Sequence, residues 1–274
     1  MTASPRVLVL RAPGTNCDFE TAHAFERAGG IPDRVHINRL LESPALAADY
    51  QILCIPGGFS FGDDVGAGRI LSRLIQHHLA DVIADFHAAD KLILGICNGF
   101  QVLIQTGIFF PMSSETPPLA TLTWNHSGRF EDRWVHLAVA APQCVFLRGL
   151  ETMYLPVAHA EGRFVCRDAN SLRQLSQQGQ LALRYQLPPA ASSQTTDTRS
   201  ERDNGTIPIA YPHNPNGSDD HVAALCDTSG RALGLMPHPE RFIDRTQHPR
   251  WTREPLPDQG VGLRLFENSV RYFC

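Results

Sequence analysis

Cys97 sits in the stretch LILGICNGFQ, residues 92 to 101, where an apolar run is interrupted by Gly95 and Gly99 on either side of the thiol and then continues into helix-forming residues. A strand, then glycine, a nucleophile and glycine, then a helix is the pattern of a nucleophile elbow, in which a strained turn lifts the side chain above the sheet edge. The thiol would then stand at a helix N-terminus, whose free N–H groups and dipole favour an anion. A cysteine nucleophile also needs a proton shuttle and a group to orient that shuttle. The stretch LGLMPHPERF, 233 to 242, offers His238 and Glu240, and the proline after His238 favours extended backbone there. Extended backbone puts the two side chains on one side, so Glu240 can hold one imidazole nitrogen while the other faces the thiol. His159 and Glu161 repeat the same His-x-Glu spacing. Spacing alone does not choose between the two pairs.

Such residues need a scaffold that brings distant segments together. Residues 6 to 10, 34 to 37, 51 to 55 and 92 to 96 read as strands, and 17 to 28 and about 69 to 89 read as helices. The first helix has Thr15 and Asn16 as capping residues and Gly29 and Gly30 as its stop. Nearly polar-free strands alternating with helices predict an α/β fold with an open, mostly parallel sheet flanked by helices. Ligands on such sheets bind at the carboxyl ends of the strands. The second half carries additional short β-type runs, a hairpin turn at 227 to 230 and a terminal amphipathic helix over 262 to 273. The chain, 1 to 274, is expected to form a single domain. Its polar segment 187 to 206 reads as a mobile surface insertion.

Composition narrows the function classes. The 274 residues are 43% hydrophobic and 19% charged, with a formal net charge of −4, and the lysines and arginines form no basic stripe, which argues against nucleic-acid binding. The first apolar run is too short for a signal sequence and no segment has the length of a membrane span, so the expected location is the cytoplasm. Seven cysteines, an odd number without CxxC pairs, indicate reduced thiols. No HExxH or calcium-loop spacing is present, Asp63-Asp64 included, and no metal site is expected.

Taken together and in order along the chain, RAPGTNCD, IPGGFSFGDD, GICNGFQ, NHSGRFE, PVAHAEGRF, YPHNPNGS and MPHPER give a chain that resembles the class I glutamine amidotransferases, in particular the branch that serves purine synthesis. Relatives more often have Phe where Ala12 stands and Val where Ile96 stands. The resemblance implies a flavodoxin-like fold and a glutaminase with Cys97 as nucleophile, His238 as acid/base and Glu240 as its orienting carboxylate. It assigns the oxyanion hole to backbone N–H groups of Gly57, Gly58 and Asn98, and contact with the substrate L-glutamine to Gln101. The chain has no phosphate-binding glycine loop of either common type, so ATP and Mg²⁺ belong on a partner. That partner is a synthetase subunit that converts formylglycinamide ribonucleotide to formylglycinamidine ribonucleotide, accompanied by a small accessory subunit. On this reading NHSGRFE and NPNGS shape the rim facing the partner and the entrance for ammonia transfer. Two other classes fit the elbow: a cysteine-dependent α/β hydrolase, and a non-enzymatic thiol sensor of the same fold.

Overall fold

The computed structural model describes residues 4–112, 115–189 and 208–274. Five strands form the parallel half of a nine-stranded sheet: β1 (Arg6–Arg11), β2 (Ile31–His36), β3 (Ile52–Ile55), β4 (Leu92–Ile96) and β11 (Ala232–Leu235). Their order is β2-β1-β3-β4-β11, all in parallel register. Every residue of β3, β4 and β11 is buried, as required of strands covered on both faces. The sheet continues through β10 (Val222–Cys226), β9 (Leu181–Gln186), β6 (Glu131–Val139) and β7 (Thr152–His159), each antiparallel to its neighbours. These are the additional strands expected of the second half. A separate antiparallel pair joins β5 (Ala120–Thr123) to β8 (Arg163–Cys166).

Helix α1 (Asp18–Arg27) ends where the glycines predict: Gly29 has φ +92, and the Gly30 N–H donates back to the Phe25 carbonyl at 2.9 Å. Its start differs from expectation. Thr15 Oγ1 instead accepts the Ala12 N–H at 3.0 Å within the preceding turn, and Cys17 flanks the helix without a side-chain cap. Helix α2 (Ile37–Glu42) follows β2 directly. The long helix expected over 69 to 89 is two, α3 (Arg69–His78) and α4 (Ala80–Ala88), because the backbone opens at Leu79 (φ −131) while its side chain stays buried. Helix α5 (Asn98–Leu103) packs across β3, β4 and β11. Helix α6 (Ala169–Gln177), started by the Asp168 carboxylate accepting the Ser171 N–H at 2.7 Å, is absent from the strand-rich reading of this half. Helix α7 (Leu263–Arg271) docks on α1 through an edge-to-face contact of Phe25 and Phe266, centroids 4.9 Å apart. Residues 190 to 206 of the polar segment lie outside the described residues.

Chain connections on the two sides of β1 run in opposite directions, which opens a crevice at the carboxyl ends of the central strands. The segments after β1, β3, β4 and β11 carry Cys17, Gly57-Gly58, Cys97 and His238 respectively.

Candidate active site

The turn at Cys97 is strained. Its backbone has φ 51 and ψ −105, an unfavourable combination for a residue with a Cβ, and its N–H is tied to the Leu235 carbonyl at 2.8 Å. The flanking glycines are required by close approach: a Cβ on Gly99 would lie 1.8 Å from the Ile55 carbonyl oxygen, and one on Gly95 would lie 2.6 Å from that of Gly99. Helix α5 can therefore press against β3 and β4 and deliver Cys97 at the strand end. The Cys97 Sγ lies 3.6 Å from the Ala158 carbonyl oxygen.

His238 follows β11 in extended conformation (φ −106, ψ 90), fixed by its N–H donating to the Pro156 carbonyl at 2.8 Å. Its Nδ1 is 2.6 Å from Glu240 Oε1, and both side chains are buried. Burial opposes charging of the ring and is the largest single influence, but the Glu240 carboxylate, Cys97 and Cys17 together outweigh it, so the His238 pKa stands well above the ordinary value. The opposite nitrogen, Nε2, is sealed from solvent and has no hydrogen-bond partner. Gly57 makes room for this ring: a Cβ there would lie 2.9 Å from His238 Cε1 and 3.5 Å from Cys97 Cβ. Cys97, His238 and Glu240 thus come together from β4 and β11, neighbours in the sheet.

The competing pair is not a dyad. His159 Nδ1 is 3.1 Å from Asn125 Oδ1, burial lowers its pKa to about 3, and no hydrogen bond joins it to Glu161. The Glu161 carboxylate instead accepts the Ala67 N–H at 3.4 Å.

Gly58 and Gln101 line a small cavity with Cys97, Phe59, Asp63, Ala67 and residues 158 to 161. Its volume is about 40 Å³, and it shares Asp63, Ala67 and Glu161 with a cavity of about 960 Å³ that runs along α3. Gly58 has φ +135, which favours glycine, and a Cβ on it would meet the Asn16 nitrogen at 2.7 Å. Gly57 lies behind it, against His238. Asn98 opens α5 beside Cys97, and its carboxamide donates to Asp63 at 3.1 Å and to Gln101 Oε1 at 3.0 Å. Gln101 in turn donates to the Glu161 carbonyl at 2.5 Å, which ties the elbow helix to the loop after β7.

Several residues near the site were not singled out by sequence reasoning. The Cys17 thiol approaches His238 and Glu240, with one donor atom from each residue lying within 4.8 Å of the others, and it accepts from Arg241 at 3.3 Å. Arg241 also pairs with Glu20 of α1 at 2.8 Å. Asn125 governs the loop after β7: its Nδ2 donates to the His159 carbonyl at 2.8 Å, its Oδ1 accepts the Gly162 N–H at 3.1 Å, and its own N–H donates to the Ala160 carbonyl at 2.8 Å. Asn216 adds a bond to the Gly162 carbonyl at 2.7 Å. The asparagines of NHSGRFE and NPNGS are therefore internal supports for the cavity wall, while Trp124, Phe130 and Tyr211 are exposed nearby. The signal for these supports was the density of Asn, Gly and Ser in both motifs, residues suited to bonding irregular backbone.

Comparison with known proteins places this geometry in a family. Residues 4–273 match the family model described as the CobB/CobQ-like glutamine amidotransferase domain. A Dehalococcoides mccartyi protein named phosphoribosylformylglycinamidine synthase subunit PurQ is 44% identical over 273 residues, covering 97% of each chain. A protein of the same name from Methanococcus maripaludis is 39% identical over 280 residues, covering 98% of this chain and 97% of the relative. A chain in the solved structure of PurLQS from Thermotoga maritima superposes with a TM-score of 0.68 at 30% identity, covering 98% of this chain and 99% of that one. The chain belongs to the glutamine amidotransferase family, and the curated relatives it matches end to end are PurQ members of that family.

Proposed function

We propose that this chain is the glutaminase subunit of phosphoribosylformylglycinamidine synthase, and that Cys97, His238 and Glu240 are its triad. The observation that carries the reading is the buried His238–Glu240 pair, 2.6 Å apart, at the end of the strand beside the strained Cys97 turn. Cys97 passes its thiol proton to His238 Nε2 as its sulfur forms a bond to the side-chain amide carbon of glutamine. The C–N bond then breaks as His238 gives its proton to the leaving nitrogen, and ammonia departs. Water, losing its proton to His238, hydrolyses the γ-glutamyl thioester, releasing glutamate and restoring the thiol. Glu240 holds Nδ1, so Nε2 does the proton transfer. The N–H groups of Gly58 and Asn98 serve the tetrahedral oxyanion, with Gly57 as the clearance that lets His238 approach; removing one such donor typically costs about 10² to 10³ in rate. Gln101 shapes the substrate pocket.

Ammonia is used by a synthetase partner of the PurL type, which binds ATP and Mg²⁺ and acts on formylglycinamide ribonucleotide, with a small PurS-type accessory subunit. The relatives' shared name and the PurLQS neighbour support these partners. Among the described residues no helix is long and apolar enough to cross a membrane. The cytoplasm is the location that the likeness to PurQ proteins supports. The test is acid quenching of the subunit complex turning over glutamine, followed by peptide mass spectrometry. A γ-glutamyl adduct is expected on the peptide carrying Cys97; an adduct on any other cysteine overturns the assignment.

A further inference from the structure

Gly58 and Cys97 face the same cavity from different elements, the loop after β3 and the turn into α5. The loop holds unfavourable backbone: Phe61 and Asp63 both have φ +54, a left-handed conformation that strains a residue with a Cβ. On one side it is tied to the segment after β1, where the Phe59 N–H donates to the Gly14 carbonyl at 3.0 Å and the Phe61 N–H to that of Pro13 at 2.6 Å. On the other side, among the described residues, every hydrogen bond between residues 58 to 63 and α5 runs through one side chain, the Asn98 carboxamide. Its Oδ1 accepts the Ser60 N–H at 3.3 Å, and its Nδ2 donates to Asp63 Oδ1 at 3.1 Å and to Gln101 Oε1 at 3.0 Å. A backbone N–H only donates and an ionised carboxylate only accepts, so the buried carboxamide has a single possible orientation, in which each of its polar atoms is bonded.

Asp63 completes this clamp. The same Oδ1 accepts the Gly68 N–H at 3.1 Å, and Gly68 lies so close to α5 that a Cβ on it would meet Val102 Cγ2 at 2.9 Å. One carboxylate oxygen thus closes the turn from 63 to 68 and fastens it to the residue after the nucleophile. Left-handed backbone at Phe61 and Asp63 persists only while such bonds over-determine it. Without the carboxylate the loop relaxes and Gly58 moves relative to Cys97, whose own turn is held separately by the Leu235 carbonyl. A displaced oxyanion donor is felt in the transition state rather than in substrate binding.

We propose that Asp63 is a positioning residue that, through the Asn98 carboxamide, holds the Gly58 N–H in register with Cys97 for the oxyanion. This rests on the glutaminase reading given above. With the full subunit complex, glutaminase kcat and KM are measured for wild type, Asp63→Ala, Asn98→Asp and the exchanged pair, Asp63→Asn with Asn98→Asp. Asp63→Ala should lower kcat by about 10² to 10³, the range for loss of one oxyanion donor, with KM near the wild-type value. Asn98→Asp keeps the acceptor for Ser60 but sets two carboxylates against each other, and kcat should fall similarly. The exchanged pair again sets a donor against an acceptor, with the sense reversed. Its kcat should exceed that of Asn98→Asp by at least about tenfold, the scale of a hydrogen bond to a charged group. Alkylation of Cys97 by iodoacetamide forms no tetrahedral oxyanion, and in Asp63→Ala it should keep its wild-type rate. A wild-type kcat in Asp63→Ala, a loss confined to KM, alkylation that slows in step with kcat, or an exchanged pair no better than Asn98→Asp overturns the proposal and leaves the glutaminase assignment intact. A wild-type complex that does not hydrolyse glutamine overturns both. If Asp63→Ala does not fold, the comparison of Asn98→Asp with the exchanged pair decides.

Discussion

His238 Nδ1 and Glu240 Oε1 approach to 2.6 Å although only Pro239 separates the two residues, and both side chains are buried. The extended backbone at His238 and the short 3-10 turn over Pro239–Arg241 fold Glu240 back onto the ring. This pairing fixes the tautomer and raises the His238 pKa against the cost of burial. Two expectations about chemistry and one about stability follow from it.

Replacing Glu240 with Gln removes the charge that keeps His238 protonated. The His238 pKa should fall, and the basic limb of the glutaminase pH profile, where the imidazolium is lost, should move to lower pH with a reduced kcat. The raised value also sets a stability window. Stabilisation from the charged pair is complete below the unfolded value of about 6.5 and is lost as pH rises through the folded value, so the variant's deficit should be largest on the acid side. Denaturant titrations at several pH values read this directly; a deficit that grows with rising pH contradicts the charged-pair account.

Gly57 and Gly99 should separate function from folding. Gly57→Ala places a methyl against His238 Cε1 and Cys97 Cβ, and kcat should fall by more than tenfold, the scale of losing a positioned acid/base group, with a modest change in melting temperature. Gly99→Ala drives a methyl into the Ile55 carbonyl and should cost about 3 kcal/mol of stability or more. Calorimetry beside steady-state kinetics tests the pair, and a Gly57→Ala enzyme with wild-type kcat would remove the clearance argument.

The central strands β3, β4 and β11 were legible because they are buried on both faces and announce themselves as apolar runs, with β4 bounded at Leu92 and Ile96 as the sequence reads, whereas the edge strand β2, IPDRVH with only Val35 buried, begins at Ile31 rather than residue 34 and ends at His36. The elbow and the His-x-Glu pair were legible because glycine and proline constrain local backbone. The break at Leu79 was not, since residues on both sides keep helical composition and the deviation serves packing of Leu79 into the core. Nor could sequence choose between the two His-x-Glu pairs. That choice depends on Asn125, 34 residues before His159, which takes Nδ1 and keeps the ring from pairing with Glu161. Cys17 escaped notice for the same reason: its relation to His238 arises only when the ends of β1 and β11 meet at one edge of the sheet.

The cavity at Cys97 is walled by two loop segments, Gly58–Phe59 and residues 158 to 161, whose arrangement around bound substrate is expected to depend on the partner. Docking of a loaded synthetase is expected to stabilise the productive arrangement, leaving the isolated chain a poor glutaminase. Because oxyanion donors act mainly in the transition state, partners and nucleotide should raise kcat more than they lower KM. Kinetics of the chain alone, then with both partner subunits, provide the check; full activity in isolation, unchanged by partners, would refute this gating.

The most direct test of the central claim is the separation of glutamine use from ammonia use in a Cys97→Ser complex. Formation of formylglycinamidine ribonucleotide is measured with glutamine and then with ammonium chloride as nitrogen source. With Cys97 as the nucleophile, the glutamine-dependent rate should fall by at least about 10⁴-fold, as for loss of a triad nucleophile, while the ammonia-dependent rate stays at the wild-type level. Glutamine-dependent synthesis that survives in the variant would contradict the account.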